Sequence, residues 1–571
     1  MDVATVLASQ LSSAQIHQKV PILEVVETIP KWQKVADRRR DEILKAIPEE
    51  YKVSPHHLAA SDRSKLVETC GLLSPRELSI IRLTATQLLR CIHTRIFTAV
   101  EVTRAFCKSA AIAHQATNCL AWIMFNEALA DAAVLDEYLA IHDKPKGPLH
   151  GLPISVKEHI FLAGTPSTSG FVAWADHVSV TDALVVKVLR DAGAVFHVKT
   201  TDPQGLMALE TESNLYGTTT NPFNAKLTPG GSSGGEAALI AMRGSLLGIG
   251  TDIGGSIRVP SAFCGIFGFK PSVARLPHGG LSGAHSGMEN IIGVVGPMAT
   301  CVEDMTLFCR VILETHPWLH EPSLVGLPWT PSLKGKKPLK IGIIYHDGIV
   351  CPHPPITRSL HQTAKALQAA GHTLISWDTT LHRTLIDCIS KFYFLDGGKE
   401  YHDIIAAGEE TASPLMKWLL DSAPSRPYSA AETWKLNELR NALQIAYAAQ
   451  WNASGIDCLL CPANASVASA HGESTYWGYS SLFNILDYSS VVFPVGVVEK
   501  SDTWERFPRA GVTAGDGLGA EDERFAGYYG QGTKGPEKYR DAPVSLQLVG
   551  RRYREEEVLG MLERILEVFR K

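Results

Sequence analysis

Short apolar runs alternate with helical patterns along the chain from Pro148 onward. "LPISVKEHIF" and "GAVFHVKTT" are apolar segments bounded by Gly and Pro, and "DALVVKVLRDA" between them has the apolar spacing of a helix. The same order recurs in "LKIGIIYHDG", "ITRSLHQTAKALQAAG" and "HTLISW". Because a helix between two strands lets them lie in parallel in one sheet, this alternation predicts an α/β fold.

The composition excludes several classes of partner. Of the 571 residues, 45% are hydrophobic, and the net charge of −5 gives no basic footprint for a nucleic acid. No uninterrupted apolar stretch approaches the roughly 18 residues that a membrane span needs. The first residues also lack the basic and then apolar layout of a secretory signal. We therefore expect a cytoplasmic protein that acts on small molecules, with neither a nucleic acid nor a membrane as its partner.

The 11 cysteines are odd in number and scattered through apolar segments, which favours reduced thiols over a disulfide framework. Cys458 and Cys461 have the spacing of metal ligands. They form a single pair inside an apolar run, however, so "CLLCP" predicts a buried strand rather than half of a zinc site. We expect no metal.

The local composition of the chain predicts an N-terminal extension and one large domain. Residues 1–80 are charged and helix-prone and predict a helical extension, with the large domain over residues 81–571. Residues 84–115 have a continuous helical pattern. Residues 501–543 are rich in Gly and charge, which predicts a surface excursion. That excursion either covers the mouth of a site or is a loop without function.

The stretch "LTPGGSSGGEAALI" contains two serines, Ser232 and Ser233, between glycine pairs. A phosphate-binding loop needs Lys and then Ser or Thr after its last glycine, where Glu236 stands, and the glycine spacing of a dinucleotide fingerprint is absent. The nucleophile elbow of α/β-hydrolases fits "GGSSG", but prolines stand where its strand is required. A flexible linker does not usually begin a helix as apolar as "AALIAMRG". The stretch therefore serves backbone geometry or a different chemistry.

A second serine motif, "GTDIGGSIRVPSAFCG", follows an apolar strand. Bare backbone N–H groups beside a hydroxyl suit an oxyanion hole, with Ile253, Gly254, Gly255 and Ser256 as candidate donors. A serine nucleophile needs a base, and no histidine is near either serine motif in sequence. Lys157 becomes a candidate base if its face of the strand is buried, because desolvation lowers the pKa of an amine. A lysine in a strand is more often solvated, but the presence of the two serine motifs favours Lys157 as a base.

Residues 230–272 resemble the amidase signature family almost without interruption. The resemblance extends through "GPLHGLPISVKEHI", "TTNPFN" and "PVSLQLVGRR", covers most of the chain, and is strongest to the fungal acetamidase branch. It implies a large mixed central β-sheet covered by helices on both faces. It also implies a triad of Lys157 as the base, Ser232 as the serine after a cis peptide bond, and Ser256 as the nucleophile. One small departure is Glu158, where many members have Asp.

The same resemblance implies an activity. It predicts an amidohydrolase that cleaves carboxylic acid amides to a carboxylate and ammonia or an amine through an acyl-Ser256 intermediate, without a cofactor. An esterase or acyltransferase on the same triad and a non-catalytic scaffold protein stay open as alternatives. A homodimer is the assembly that the family leads us to expect.

Five further residues match family positions around the triad. Ser233 supports the site by hydrogen bonding or has a purely structural role. Asp252 and Arg258 are interpreted as an ion pair that braces the nucleophile loop, with a solvated pair as the alternative. Leu206 and Met207 stand where the family lines its acyl pocket and are predicted to bind substrate, although core packing alone would also explain two apolar side chains.

Overall fold

The computed structural model describes residues 29–331, 338–509 and 519–569. Two sheets are present in these residues, one of eleven strands and one of two short strands. The strands are β1 (Leu120–Ile123), β2 (Pro153–Lys157), β3 (Val195–Thr200), β4 (Glu212–Ser213), β5 (Gly217–Thr218), β6 (Leu247–Asp252), β7 (Phe267–Lys270), β8 (Val294–Ala299), β9 (Lys340–Ile343), β10 (Thr373–Ser376), β11 (Cys458–Pro462), β12 (Ser490–Val497) and β13 (Pro543–Val549).

The large sheet is mixed, with the strand order β1-β3-β2-β6-β8-β7-β12-β13-β11-β9-β10. The β2 strand pairs in parallel with β3 and β6, and β9 pairs in parallel with β10 and β11. The other six pairings are antiparallel. The α/β class and the large mixed sheet are therefore confirmed.

Nineteen α-helices lie in the described residues. They are α1 (Lys31–Lys45), α2 (Leu66–Thr69), α3 (Pro75–Ile81), α4 (Ala85–His93), α5 (Ala99–Thr117), α6 (Phe125–His142), α7 (Leu184–Asp191), α8 (Gly234–Ala241), α9 (Arg258–Phe263), α10 (Val302–Leu313), α11 (Pro354–Ala369), α12 (His382–Phe392), α13 (Lys399–Ala407), α14 (Pro414–Ser422), α15 (Ala430–Ser454), α16 (Gly478–Ile485), α17 (Ala520–Tyr529), α18 (Lys534–Lys538) and α19 (Glu555–Phe569). None of these described helices combines the length and apolarity that a membrane span requires.

The large sheet has a hydrophobic core on each face. Along β11, Cys458 and Leu460 belong to one core, whereas Leu459 and Cys461 belong to the other. Because side chains alternate across a strand, the two cores lie on opposite faces. Helices α5, α11 and α19 contribute to the first core, and α12, α15 and α16 contribute to the second. The expected buried strand at Cys458–Pro462 is thus confirmed, and both of its cysteines are buried thiols.

The continuous helix expected over residues 84–115 is wrong, because the structure divides it into α4 and α5. Each helix begins at its own capping box, formed by Thr84 with Gln87 and by Thr98 with Glu101. A threonine side chain that accepts a backbone N–H satisfies a free donor at a helix start, so the second threonine favours a new helix over continuation.

The described parts of both predicted peripheral segments contain buried residues. In the described part of the N-terminal extension, Tyr51, Leu66 and Ile80 are buried in the same core as the large sheet, and a domain boundary after residue 80 stays a prediction. In the excursion over 501–543, Phe525 and Tyr529 are buried. Residues 1–28 and 510–518 lie outside the described residues.

Candidate active site

The two strands that carry the site are neighbours in the sheet. The strands β2 and β6 are parallel, with Ser155 paired to Gly248 and Val156 to Ile249. Their carboxyl ends therefore lie at the same edge of the sheet, where β2 ends at Lys157. The loops before α8 and α9 bring the two serine motifs to this edge.

Lys157 is fully buried and surrounded by hydroxyl groups. Its Nζ lies 2.6 Å from Ser232 Oγ and 3.0 Å from Thr251 Oγ1. Burial lowers the pKa of Lys157 to about 8, against the opposing influence of the Asp202 and Asp252 carboxylates. An amine with this pKa is neutral in a large fraction of molecules near pH 8, which a proton acceptor requires.

Ser232 follows a cis peptide bond with Gly231, as the resemblance implies. A Cβ on Gly231 would lie 2.2 Å from the carbonyl oxygen of Glu210, so no larger residue fits there without movement of the backbone. The next residue, Ser233, donates its N–H to the Ser256 carbonyl at 3.0 Å. Ser233 therefore links the two serine loops.

Ser256 is 5% exposed and lines a cavity of about 430 Å³ that also reaches Ser232. Among the described residues its hydroxyl makes no hydrogen bond, so the contact to Ser232 that a proton relay needs is not formed in this structure. The hydroxyl is free to turn toward a group in the cavity.

The loop that carries the expected oxyanion donors is held by its carbonyl groups. Tyr393 donates its hydroxyl to the Ile253 carbonyl at 3.1 Å, and Ser480 Oγ donates to the Gly254 carbonyl at 2.6 Å. One of the four expected donors is engaged within its own loop, because the Gly255 N–H donates to Asp252 Oδ1 at 2.9 Å. The carboxylate accepts this N–H in the present conformation, and the backbone N–H groups of Ile253, Gly254 and Ser256 stay predicted oxyanion donors.

Asp252 and Arg258 form a buried ion pair rather than a solvated one. Arg258 Nε and Nη2 each lie 2.9 Å from one carboxylate oxygen, and Asn484 donates to the same carboxylate at 2.9 Å. Burial by itself would raise the pKa of Asp252, but the Arg258 guanidinium holds it well below its ordinary value. A bidentate pair with additional hydrogen bonds fixes the loop between these two residues.

Both predicted pocket residues line the same cavity as the serines. Leu206 has a positive φ of 65° at the end of a short 3-10 turn, and Met207 is buried. Ile253 and much of the segment 281–293 complete the wall, which carries apolar side chains and hydroxyl groups together with His285 and Glu289. No described residue of the excursion over 501–543 lines this cavity.

Sequence reasoning missed several polar residues of this site, Thr251 and His159 among them, and one wall of the cavity. Thr251, just before the Asp252 that we singled out, contacts Lys157, and His159 contacts Thr251 at 2.9 Å. A strand that continued past Lys157 would place His159 on the same face, but β2 ends at Lys157, so this signal is indirect. The segment 281–293 has no periodic pattern that would have placed it. Within the described ranges, no three His, Cys, Asp or Glu residues are arranged to hold a metal ion.

Comparison with known proteins connects this geometry to a family. The amidase family model matches residues 101–559. An acetamidase of Aspergillus oryzae is 38% identical over 554 residues, covering 93% of this chain and 98% of the relative. An acetamidase of Emericella nidulans is 38% identical over 549 residues, covering 94% and 97%. Among solved structures, a fatty acid amide hydrolase matches with a TM-score of 0.89 at 32% identity, covering 94% of this chain and 95% of that chain.

Proposed function

The chain belongs to the amidase signature family and hydrolyses amide bonds, and from this premise we propose that Lys157, Ser232 and Ser256 act as its catalytic triad. The observation that carries the proposal is the contact of 2.6 Å between Lys157 Nζ and Ser232 Oγ. The lysine is fully buried and has no carboxylate within hydrogen-bond distance among the described residues. It therefore combines a lowered pKa with a hydroxyl in reach, which are the two properties of a general base.

The acylation step begins with proton transfer along the triad. Ser256 turns toward Ser232 and attacks the amide carbonyl carbon through Oγ. Its proton passes to Ser232 Oγ, whose own proton passes to the neutral amine of Lys157. The negative charge that develops on the carbonyl oxygen is stabilised by the N–H groups of Ile253, Gly254 and Ser256. Loss of one such donor typically costs about 10²- to 10³-fold in rate.

Breakdown of the tetrahedral intermediate runs the same relay in reverse. The lysine ammonium returns its proton through Ser232 to the amide nitrogen, the C–N bond breaks, and ammonia or an amine leaves. Water then enters, gives a proton to the relay and attacks the acyl-Ser256 ester. The carboxylate leaves, and Ser256 recovers its proton.

The part of the cavity beside the nucleophile favours an uncharged acyl group. Leu206, Met207 and Ile253 contribute apolar surface beside the nucleophile, and the charge of Asp252 is balanced by Arg258. We propose Leu206 and Met207 as contacts to the acyl group of a small carboxylic amide. A cytoplasmic location and a homodimeric assembly belong to the same proposal.

Ammonia release from a panel of short aliphatic, aromatic and long-chain primary amides tests the function. The wild type should release ammonia from at least one class, whereas Ser256→Ala and Lys157→Ala should lose that activity. Lys417→Ala, which changes an exposed lysine of α14, should keep it. Failure of the wild type on every amide, or full activity of Ser256→Ala, would contradict the proposal.

Two further measurements separate the alternative activities. A fluorophosphonate probe should label the wild type and leave Ser256→Ala unlabelled, whereas an unlabelled wild type would support a scaffold without activity. Hydroxylamine added to the amide reaction captures the acyl group as a hydroxamate. If the hydroxamate forms readily while little free acid forms in its absence, the enzyme is an acyltransferase rather than a hydrolase.

A further inference from the structure

His159 stands two residues after Lys157 and lines the cavity while being only 4% exposed. Its Nδ1 lies 2.9 Å from the Ser282 carbonyl oxygen, and its Nε2 lies 2.9 Å from Thr251 Oγ1. The proposed triad does not use this imidazole. Both of its nitrogens are nonetheless engaged, which makes the direction of each hydrogen bond readable.

The carbonyl of Ser282 fixes the tautomer of the ring. A carbonyl oxygen can only accept, so Nδ1 must carry the hydrogen that is donated to it. Burial and the charges of Lys157 and Lys199 hold the pKa of His159 well below its ordinary value, so the ring is neutral. Neutral imidazole has one N–H group, and Nε2 is therefore a pure acceptor.

Thr251 must then donate its hydroxyl hydrogen to His159. A threonine hydroxyl has one hydrogen and two lone pairs, so Oγ1 can act toward Lys157 only as an acceptor. The contact of 3.0 Å between Thr251 and Lys157 is consequently an N–H group of the lysine that donates to the threonine. In the neutral amine this leaves the lone pair of Nζ available at the other contact, which is the one of 2.6 Å to Ser232.

We propose that His159 is a positioning residue that acts through Thr251 to aim the lone pair of Lys157 at Ser232. This role rests on the proposed triad. Without an acceptor at the place of Nε2, the Thr251 hydroxyl is free to rotate and donate to the lysine lone pair. It would then compete with Ser232 for the electron pair that must take the proton.

The loss of this acceptor also has a predictable effect on the pKa of Lys157. A hydroxyl that donates to the amine stabilises its neutral form, so the pKa of Lys157 should fall when His159 is replaced by Phe. The other groups that influence this lysine are unchanged by the substitution. These groups are the carboxyl groups of Asp202, Asp252, Glu236 and Glu158.

The experiment follows the rate at which a fluorophosphonate probe labels Ser256, because this rate reports nucleophile activation whichever amide is the natural substrate. Wild type, His159→Phe, His159→Gln and Thr251→Val are compared between pH 6 and pH 10. Gln is the matched control, since its Oε1 reaches the place of Nε2 and accepts from Thr251. Thermal unfolding of each variant checks that it is folded, and His159→Leu replaces the Phe variant if that variant is not.

We expect His159→Phe to slow labelling at least about tenfold on its plateau, a part of the 10²- to 10⁴-fold that general base catalysis supplies. Its acid limb should also move to lower pH, because the lysine stays neutral further into acid. His159→Gln should retain most of the wild-type rate. Thr251→Val should be less impaired than His159→Phe, since a missing hydroxyl cannot compete for the lone pair, and adding His159→Phe to it should change the rate less than about twofold.

Two results would overturn this role. If His159→Phe lowered the labelling rate equally in the wild type and in Thr251→Val, the histidine would not act through the threonine. If His159→Phe and His159→Gln both lowered the plateau labelling rate without moving the acid limb of the pH profile, the effect would come from packing alone. Neither result concerns the triad itself, which the labelling of wild-type Ser256 in the same experiment tests separately.

Discussion

Two buried cations stand on either side of the nucleophile loop, and their hydrogen-bond partners are of different kinds. Arg258 is completely buried but faces the Asp252 carboxylate at 2.9 Å through two of its nitrogens. Lys157 is equally buried, and among the described residues its Nζ makes hydrogen bonds only to the hydroxyl groups of Ser232 and Thr251. Arg258 has a partner of opposite charge, whereas Lys157 has partners that suit both of its protonation states.

This difference shows that burial alone does not decide the chemistry of a cation. Guanidinium cannot be deprotonated in a protein, so burial of Arg258 demands a counter-ion, and the pair becomes a rigid brace. An ammonium group loses its proton when desolvation outweighs its attractions, so burial of Lys157 among hydroxyl groups produces a base. The same edge of the sheet thus carries one fixed charge and one proton that can move.

The largest expected effect comes from replacing the amine of Lys157 with a guanidinium, which stays charged. In Lys157→Arg the side chain stays charged at every pH, so the rate of amide hydrolysis should fall by at least about 10³-fold. Steady-state ammonia release measures this loss, with Lys157→Met as a second variant that avoids a bulky cation. Recovery of the Arg variant at alkaline pH would mean that the lysine is not the base.

The second effect is on stability, and it comes from breaking the brace. Arg258→Met leaves the Asp252 carboxylate buried without its cation, which should lower the free energy of unfolding by about 3–5 kcal/mol. Urea denaturation measures this change. The double variant Arg258→Met with Asp252→Asn should recover part of the loss, because the uncompensated charge is gone. The exposed pair of Lys417 and Asp421 is the control, and its removal should leave stability within error.

The third effect is the dependence of activity on pH. Lys157 must be neutral to accept a proton, and its pKa of about 8 means that it becomes protonated as the pH falls below that value. The kcat/KM for a neutral amide should therefore fall about tenfold per pH unit below the pKa, or about 100-fold by pH 6. Asp252 should add no inflection in this range, since Arg258 keeps it ionised. A flat profile between pH 6 and pH 8 would remove Lys157 from the proposed role.

Some parts of the molecule were predictable from local sequence patterns, and others only from the family resemblance. Local signals were enough for the strands that carry Lys157 and precede Ser256, because each is a short apolar run bounded by glycine or proline. The family resemblance supplied the mixed sheet and the site residues. The break between α4 and α5 could have been predicted from Thr98, which caps the second helix. We overlooked this cap because the apolar pattern continues across it.

What the sequence could not indicate depends on the direction of individual side chains. The Gly255 N–H was expected among the oxyanion donors because glycine leaves it bare, but a carboxylate that folds back on its own loop occupies it. The link from Lys157 through Thr251 and His159 to the Ser282 carbonyl joins three chain segments. No periodicity along one segment contains that information.

The smallest expected effect concerns the loop between the two cations, which Tyr393 holds through its hydrogen bond to the Ile253 carbonyl. Tyr393→Phe removes one hydrogen bond worth about 0.5–1.5 kcal/mol, and the adjacent N–H groups become less precisely placed for the oxyanion. We expect kcat to fall about two- to tenfold with little change in KM, because the oxyanion forms only in the transition state.

Tyr447→Phe is the control for that last measurement, since it removes a buried phenolic hydroxyl whose contact is His382, in the core that α12 and α15 form. It should leave kcat unchanged even where it lowers stability. If both variants lowered kcat equally, a general loss of rigidity would explain the effect. If Tyr393→Phe raised KM alone, Tyr393 would act in substrate binding, and the loop would not depend on its hydroxyl for transition-state stabilisation.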